Sequence, residues 1–239
     1  MLITNLKLQK ASELNQESIR EDKQVTSGYP RLDIELPNGS WPKSCLIEIL
    51  THKTGIGEMR LLLPCLKKIV GQENNTVLML APPYVPYIPT FHSLGLSEKQ
   101  LILIKANKAT DKLWVIEQSI RNNSFGVLLA WIDEFCTFDK LRRLQLVAKK
   151  SKGLTFLFRP LKAVKLPSPA PLRIIVSPEK YPSLLIEIVK RRGPINLKPF
   201  NINVPSEFTT KTPKQYNVEE SKYDLDRLLS NKQKYKRYI

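Results

Sequence analysis

A doubly wound α/β domain, with a mainly parallel sheet, an antiparallel C-terminal hairpin and a polar tail, is the architecture this sequence predicts. Three observations predict it. Short apolar runs bounded by turn residues recur with amphipathic segments between them, the alternation of a parallel sheet with its crossover helices. Beyond Pro160 two strand-like runs follow one another across a short turn-rich segment, which reads as a hairpin. The 239 residues, 42% hydrophobic and 25% charged, suffice for one well-packed domain.

Taken in order, residues 1–25 are polar and mixed in charge and read as an arm. The stretch 26–44, rich in Gly, Pro and Asn, reads as turns. CLIEIL (45–50) is a buried strand, and THKTGIGE is the loop after it. MRLLLPCLKKIV (59–70) reads as a buried helix with an irregularity at Pro64. TVLMLA (76–81) is the next strand, followed by the proline-stiffened PPYVPYIP. LILIKA (101–106) is the third strand. Thr110 is placed to cap a helix whose Leu113, Ile116 and Ile120 share one face. GVLLAWI (126–132) is the fourth strand, and Asp139 is placed to cap a helix with Leu141, Leu144 and Ala148 inward. LTFLF (154–158) is the fifth strand, and 172–177 and 183–190 form the hairpin. A last short strand falls near 200–204, leaving a core domain at 26–204 and a basic tail at 205–239 with a weak helix near 218–230. Trp41 and Trp114 are expected in the core.

Charge is distributed unevenly. Residues 1–139 carry 15 basic and 15 acidic side chains, so the whole net charge of +16 sits in 140–239. Such asymmetry points to a polyanion or an acidic protein as partner. Cys45, Cys65 and Cys136 form no CxxC pair, which excludes a common zinc motif and a disulfide framework and makes a reducing cytoplasm the expected compartment. The first residues lack the apolar core of a signal peptide, and no apolar run reaches the roughly 18 residues of a membrane span. His52 and His92 stand without partners at metal-ligand spacing, so neither metal nor cofactor is expected.

A strand, a glycine-bearing loop and a helix in succession form the setting of a phosphate-binding loop, G-x-x-x-x-G-K-[ST]. Here the loop runs His52-Lys53-Thr54-Gly55-Ile56-Gly57-Glu58-Met59. With Gly57 in the second glycine position, His52 replaces the first glycine, Glu58 stands where Lys belongs and Met59 where Ser/Thr belongs. A carboxylate there repels a triphosphate; two unit charges 4 Å apart cost about 1 kcal/mol in water and more as the site dries. The fourth strand ends in Ala130 and Trp131 where a metal-holding Asp is needed, and the second is followed by Pro82-Pro83 where a RecA-type ATPase carries its glutamate. Three parts of a nucleotide site are missing, so no catalysis is expected. Lys53 is the alternative source of the missing cation.

At these residues the chain resembles known proteins. Thr26, Gly28, Leu32, Asp33, Leu36, Pro42 and the strand bearing Glu48 resemble the approach to the phosphate loop in RecA recombinases. GIGEMRLLLP (55–64), APPYVPYIP (81–89), LAWIDEFCTFDKLRRLQLVA (129–148), FLFRP (156–160), SPAPLR (168–173) and IVKRRG (188–193) resemble the ImuA family, RecA-like and SulA-related accessory proteins of bacterial translesion DNA synthesis. The resemblance covers roughly 24–195. It implies a RecA-like fold and an SOS-induced, non-catalytic adaptor. The implied partners are an ImuB-type inactive Y-family polymerase, RecA and, indirectly, an error-prone C-family polymerase alpha subunit. The alternative is a SulA-like division inhibitor that binds FtsZ, a reading that leaves the basic charge without a role.

In a RecA-like sheet, DNA-contacting loops follow the fourth and fifth strands. The first (132–139) offers Asp133, Glu134 and Asp139, which repel phosphate, so any DNA contact is expected at Arg159, Lys162 and Lys165 and at Lys190, Arg191 and Arg192. Tyr84, Tyr87 and Phe91 form a candidate protein interface or pack over the end of the sheet.

Overall fold

The computed structural model describes residues 24–71, 75–93, 95–132, 136–193 and 198–204. Helix α1 spans Pro30–Glu35, strand β1 Leu46–Thr51, helix α2 Glu58–Val70 and strand β2 Val77–Leu80. They are followed by α3 (Ile88–Ser93), β3 (Leu101–Ile104), α4 (Ala109–Asn122), β4 (Val127–Trp131), α5 (Phe138–Ala148) and β5 (Leu154–Pro160). A hairpin of β6 (Leu172–Pro178) and β7 (Ser183–Lys190) and a last strand β8 (Phe200–Asn203) complete an α/β fold. The eight strands form one sheet in the order β3-β2-β4-β5-β1-β6-β7-β8. Every pairing from β3 through β6 is parallel, and β7 and β8 add antiparallel.

The central strands are buried along their whole length because both faces are covered, as continuous apolar runs such as VLLAW require. One face of the sheet, carrying Ile47, Ile49, Leu129, Phe156 and Ile174, packs on α2 and on Leu32 and Trp41. Trp41 meets Phe156 edge-on at 5.1 Å, and Trp131 stacks on Phe158 at 4.5 Å. The other face, with Leu46, Leu128 and Leu157, packs on Ile116 and Ile120 of α4 and Leu141 and Leu144 of α5. In β7, Leu184, Ile186 and Ile188 are buried while Leu185, Glu187 and Val189 remain half-exposed, the expected alternation of a sheet covered on one face.

Several local expectations need correction. The stretch 26–44 contains α1 and a 3-10 turn at Pro37–Gly39. Pro30 opens α1, the Ser27 amide donates to the Asp33 carboxylate at 2.6 Å, and the Tyr29 hydroxyl donates to the Arg60 carbonyl at 2.8 Å. The first contact is a local side-chain bond and the second reaches beyond the segment, so its Gly and Pro content misleads. Helix α2 runs unbroken through Pro64, whose ring packs against Gly28, where an added Cβ would collide with it. Lys108 and Thr137 occupy the cap positions of α4 and α5, which places Thr110 and Asp139 inside the first turns. Trp114, about 200° round α4 from buried Ile116, is 36% exposed. The tail and most of the N-terminal arm, with Asp133 and Glu134, lie outside the described residues.

Helices α4 and α5 are joined by Glu117, which accepts from Arg121 at 2.8 Å and pairs with Arg143 at 2.7 Å. Burial alone would raise the Glu117 carboxyl; hydrogen bonds from Arg121 and Arg143, with their charges, outweigh it and hold it below the usual carboxylate range. The stability it contributes is complete above the unfolded value of about 4.3 and is lost as pH falls through the lower folded value. Glu117→Gln should therefore flatten the acid limb of a stability-against-pH curve below about pH 4. An unchanged limb in urea denaturation would assign the acid sensitivity elsewhere.

Candidate functional site

The loop between β1 and α2 holds its own anion. Gly55 and Gly57 take φ of 83° and 111°, conformations open to glycine, and Gly57 caps α2. Glu58, the first residue of the helix, is buried. Its two carboxylate oxygens accept from the Gly55 amide at 2.7 Å and the Gly57 amide at 3.1 Å. Backbone amides at a helix start are the groups that hold a phosphate in nucleotide-binding loops. Here a tethered carboxylate takes them, favoured by the same helix dipole. His52 and Lys53 are exposed, and Met59 leans on the core beside Ile56. On β4, Ala130 and Trp131 are both buried, and β5 separates that strand from β1.

Beneath the loop, on the face shared with α4 and α5, lies a buried ion cluster centred on Glu48. Its Oε1 accepts from Arg159 at 3.1 Å and from the Ser168 hydroxyl at 2.6 Å, and its Oε2 accepts from Arg173 Nε at 2.7 Å. Glu48 and Arg159 side chains have no exposure, and Arg173 has 8%. The strand register brings these side chains near one another. Glu48 stands opposite Arg173 across β1–β6, and Leu50 stands opposite Arg159 across β1–β5. Arg173 also donates to the carbonyls of Ala163, Val164 and Leu166, so the cluster fixes the 3-10 turn Leu161–Lys165 that follows β5.

The six basic residues expected to reach a partner therefore separate. Arg159 is withdrawn from any surface role by Glu48. Lys162 and Lys165 are exposed on the 3-10 turn. Lys190 donates to the Ser168 carbonyl at 2.6 Å; burial, with the nearby Arg173 cation, pulls its ammonium below the usual range against the opposing pull of Glu48. Arg191 donates to the Glu35 carbonyl at 2.6 Å and pairs with the Glu35 carboxylate at 3.3 Å. Arg192 alone of the three stands exposed. Charge in a sequence marks all six equally; only the pairing partners, distant in sequence, sort them.

The aromatics separate too. Tyr84 and Tyr87 are 67% and 51% exposed, flanking Val85 at 83%. Phe91 is buried, because α3 forms around it and turns it inward. Tyr84 lies beside Gly55, so the aromatic segment and the β1–α2 loop share the carboxyl edge of the sheet. Among the described residues no cluster of three metal-ligating side chains occurs and no helix is long and apolar enough to cross a membrane.

No family model matches the chain. It is similar to the cell division inhibitor SulA of Edwardsiella piscicida, 22% identical over 130 residues that cover 54% of this chain and 76% of that protein. The relationship this supports is a distant one to SulA.

Two substitutions probe the site. Glu58→Ala removes the acceptor of two amides at the start of α2 and should lower stability by about 0.5–2 kcal/mol, the cost of a lost helix cap. Glu48→Ala strands two guanidiniums in the interior and should cost about 3–5 kcal/mol. Chemical denaturation measures both, and a smaller loss for Glu48→Ala than for Glu58→Ala would reverse the ranking.

Proposed function

We propose that the chain is a non-enzymatic adaptor built on a RecA-like core, acting in SOS-induced translesion DNA synthesis by binding an ImuB-type protein and RecA. The observation that carries the non-enzymatic part is the Glu58 carboxylate seated on the Gly55 and Gly57 amides. A nucleotide would have to expel a tethered anion and then meet no lysine at that position. The similarity to SulA supports an SOS context. The exposed Tyr84, Val85 and Tyr87 are the kind of rigid, proline-flanked apolar side chains that dominate protein interfaces, and they are the surface assigned to partner binding.

A second reading is favoured by the alignment itself: a division inhibitor that binds FtsZ. The basic excess in 140–239 has no part in that reading.

The experiment is a pull-down of purified ImuB-type protein and RecA by the full chain, beside light scattering of FtsZ assembly. Retention of ImuB-type protein and undisturbed FtsZ assembly are expected, and Tyr84→Ala/Tyr87→Ala should weaken retention tenfold or more, about 1.4 kcal/mol, without lowering the melting temperature. Suppressed FtsZ assembly without retention would favour the inhibitor. Neither the wild-type chain nor Glu58→Lys should turn over ATP; turnover abolished by changing Gly57 would overturn the non-enzymatic reading.

A further inference from the structure

At the amino-terminal end of β1 the fold opens a cleft of about 830 Å³ lined by Lys43, Lys149 and Arg192 and, among the described residues, by no acidic one. Strand β1 is six residues long, so roughly 20 Å separate this cleft from the Glu58 loop at its other end. We propose that the cleft binds the phosphate backbone of a nucleic acid.

The cations converge from three parts of the chain, and the fold holds each in place. The Ser44 hydroxyl donates to the Ser151 carbonyl at 2.9 Å, and the Leu46 amide donates to the Gln145 side chain at 2.9 Å. These bonds fasten the entry to β1 against the end of α5, which brings Lys43 beside Lys149. Arg192 arrives because Arg191 is anchored on Glu35. Burial pushes the Cys45 thiol in the cleft wall up to about 11, and the Arg192 charge pulls the other way.

Trp41 also lines the cleft; it is 1% exposed, and its indole N–H has no hydrogen-bond partner among the described residues. A buried donor of this kind costs about 1–3 kcal/mol when left unmet.

The chemistry favours phosphodiester over an acidic peptide. The exposed rim is cationic, and Lys150 and Lys152 extend it along the surface. Peptide recognition relies on apolar anchors in pockets, yet the large exposed apolar side chains of this protein, such as Tyr84 and Val85, do not line the cleft. Phosphate contact requires only cations and donors, which the cleft supplies. The proposal stands apart from the adaptor reading, since it invokes neither protein partner nor the Glu58 loop.

The test is fluorescence anisotropy of a dye-labelled oligothymidylate against the full chain across a salt series. Lys149→Glu/Arg192→Glu should weaken binding at least tenfold and make the slope of log affinity against log salt shallower by roughly 1.4, the share of two single-strand phosphate contacts. Lys162→Glu/Lys165→Glu, on the turn after β5, should keep the wild-type slope. If the charge reversal disturbs folding by circular dichroism, Lys149→Gln/Arg192→Gln should shift the slope in the same direction. The proposal is overturned if the wild-type chain does not bind the oligonucleotide or if the cleft variants keep its slope. Competition by polyglutamate equal to that of unlabelled oligonucleotide would reassign the cleft to an acidic peptide. None of these outcomes bears on retention of ImuB-type protein, so the two readings fail independently.

Discussion

One buried carboxylate organises the middle of this molecule. Glu48 sits in the centre of β1 and binds side chains from β5 and β6, the strands on either side, as well as Ser168 from the connection between them. Two guanidiniums and one carboxylate in a dry interior are a costly arrangement, and an apolar trio of the same volume often serves stability as well. What an apolar trio lacks is direction. The forked hydrogen bonds of Arg173 to three carbonyls set the path of the chain over the sheet, a geometry that packing alone leaves loose.

The two ends of β1 treat anions in opposite ways. At the carboxyl end the positive helix start is satisfied from within, and the amides are closed by a side chain of the same helix. At the amino end, cations from distant segments face a cleft with no carboxylate among the described residues of its lining. An α/β sheet ordinarily places its ligand at the carboxyl edge. In this chain that edge carries exposed aromatics beside a loop whose amides are already taken.

Much of the architecture was legible in the sequence. Buried strands reveal themselves as short apolar runs, and each of the eight falls within two residues of its expected span. The departure of Glu58 from the phosphate-loop pattern was equally plain, although its closure onto Gly55 and Gly57 was not. What escaped depended on contacts across long separations. Arg159 and Glu48 are 111 positions apart, so nothing local marks Arg159 as interior. The helix at Pro30 is held by Asp33 and by Tyr29 reaching α2, while its composition speaks of turns. Phe91 is hard to tell from Tyr84 and Tyr87 in sequence because α3, six residues long, is too short to show a periodic signal.

The run Lys190-Arg191-Arg192 looks like one basic tract, yet the fold gives its members three occupations: a clasp on the β5–β6 connection, a tether to α1 and a surface charge. Neutralising the whole tract at once would loosen two anchorages while removing a single accessible cation. A phenotype from such a block replacement would therefore mix misfolding with lost attraction, and only residue-by-residue dissection would separate them.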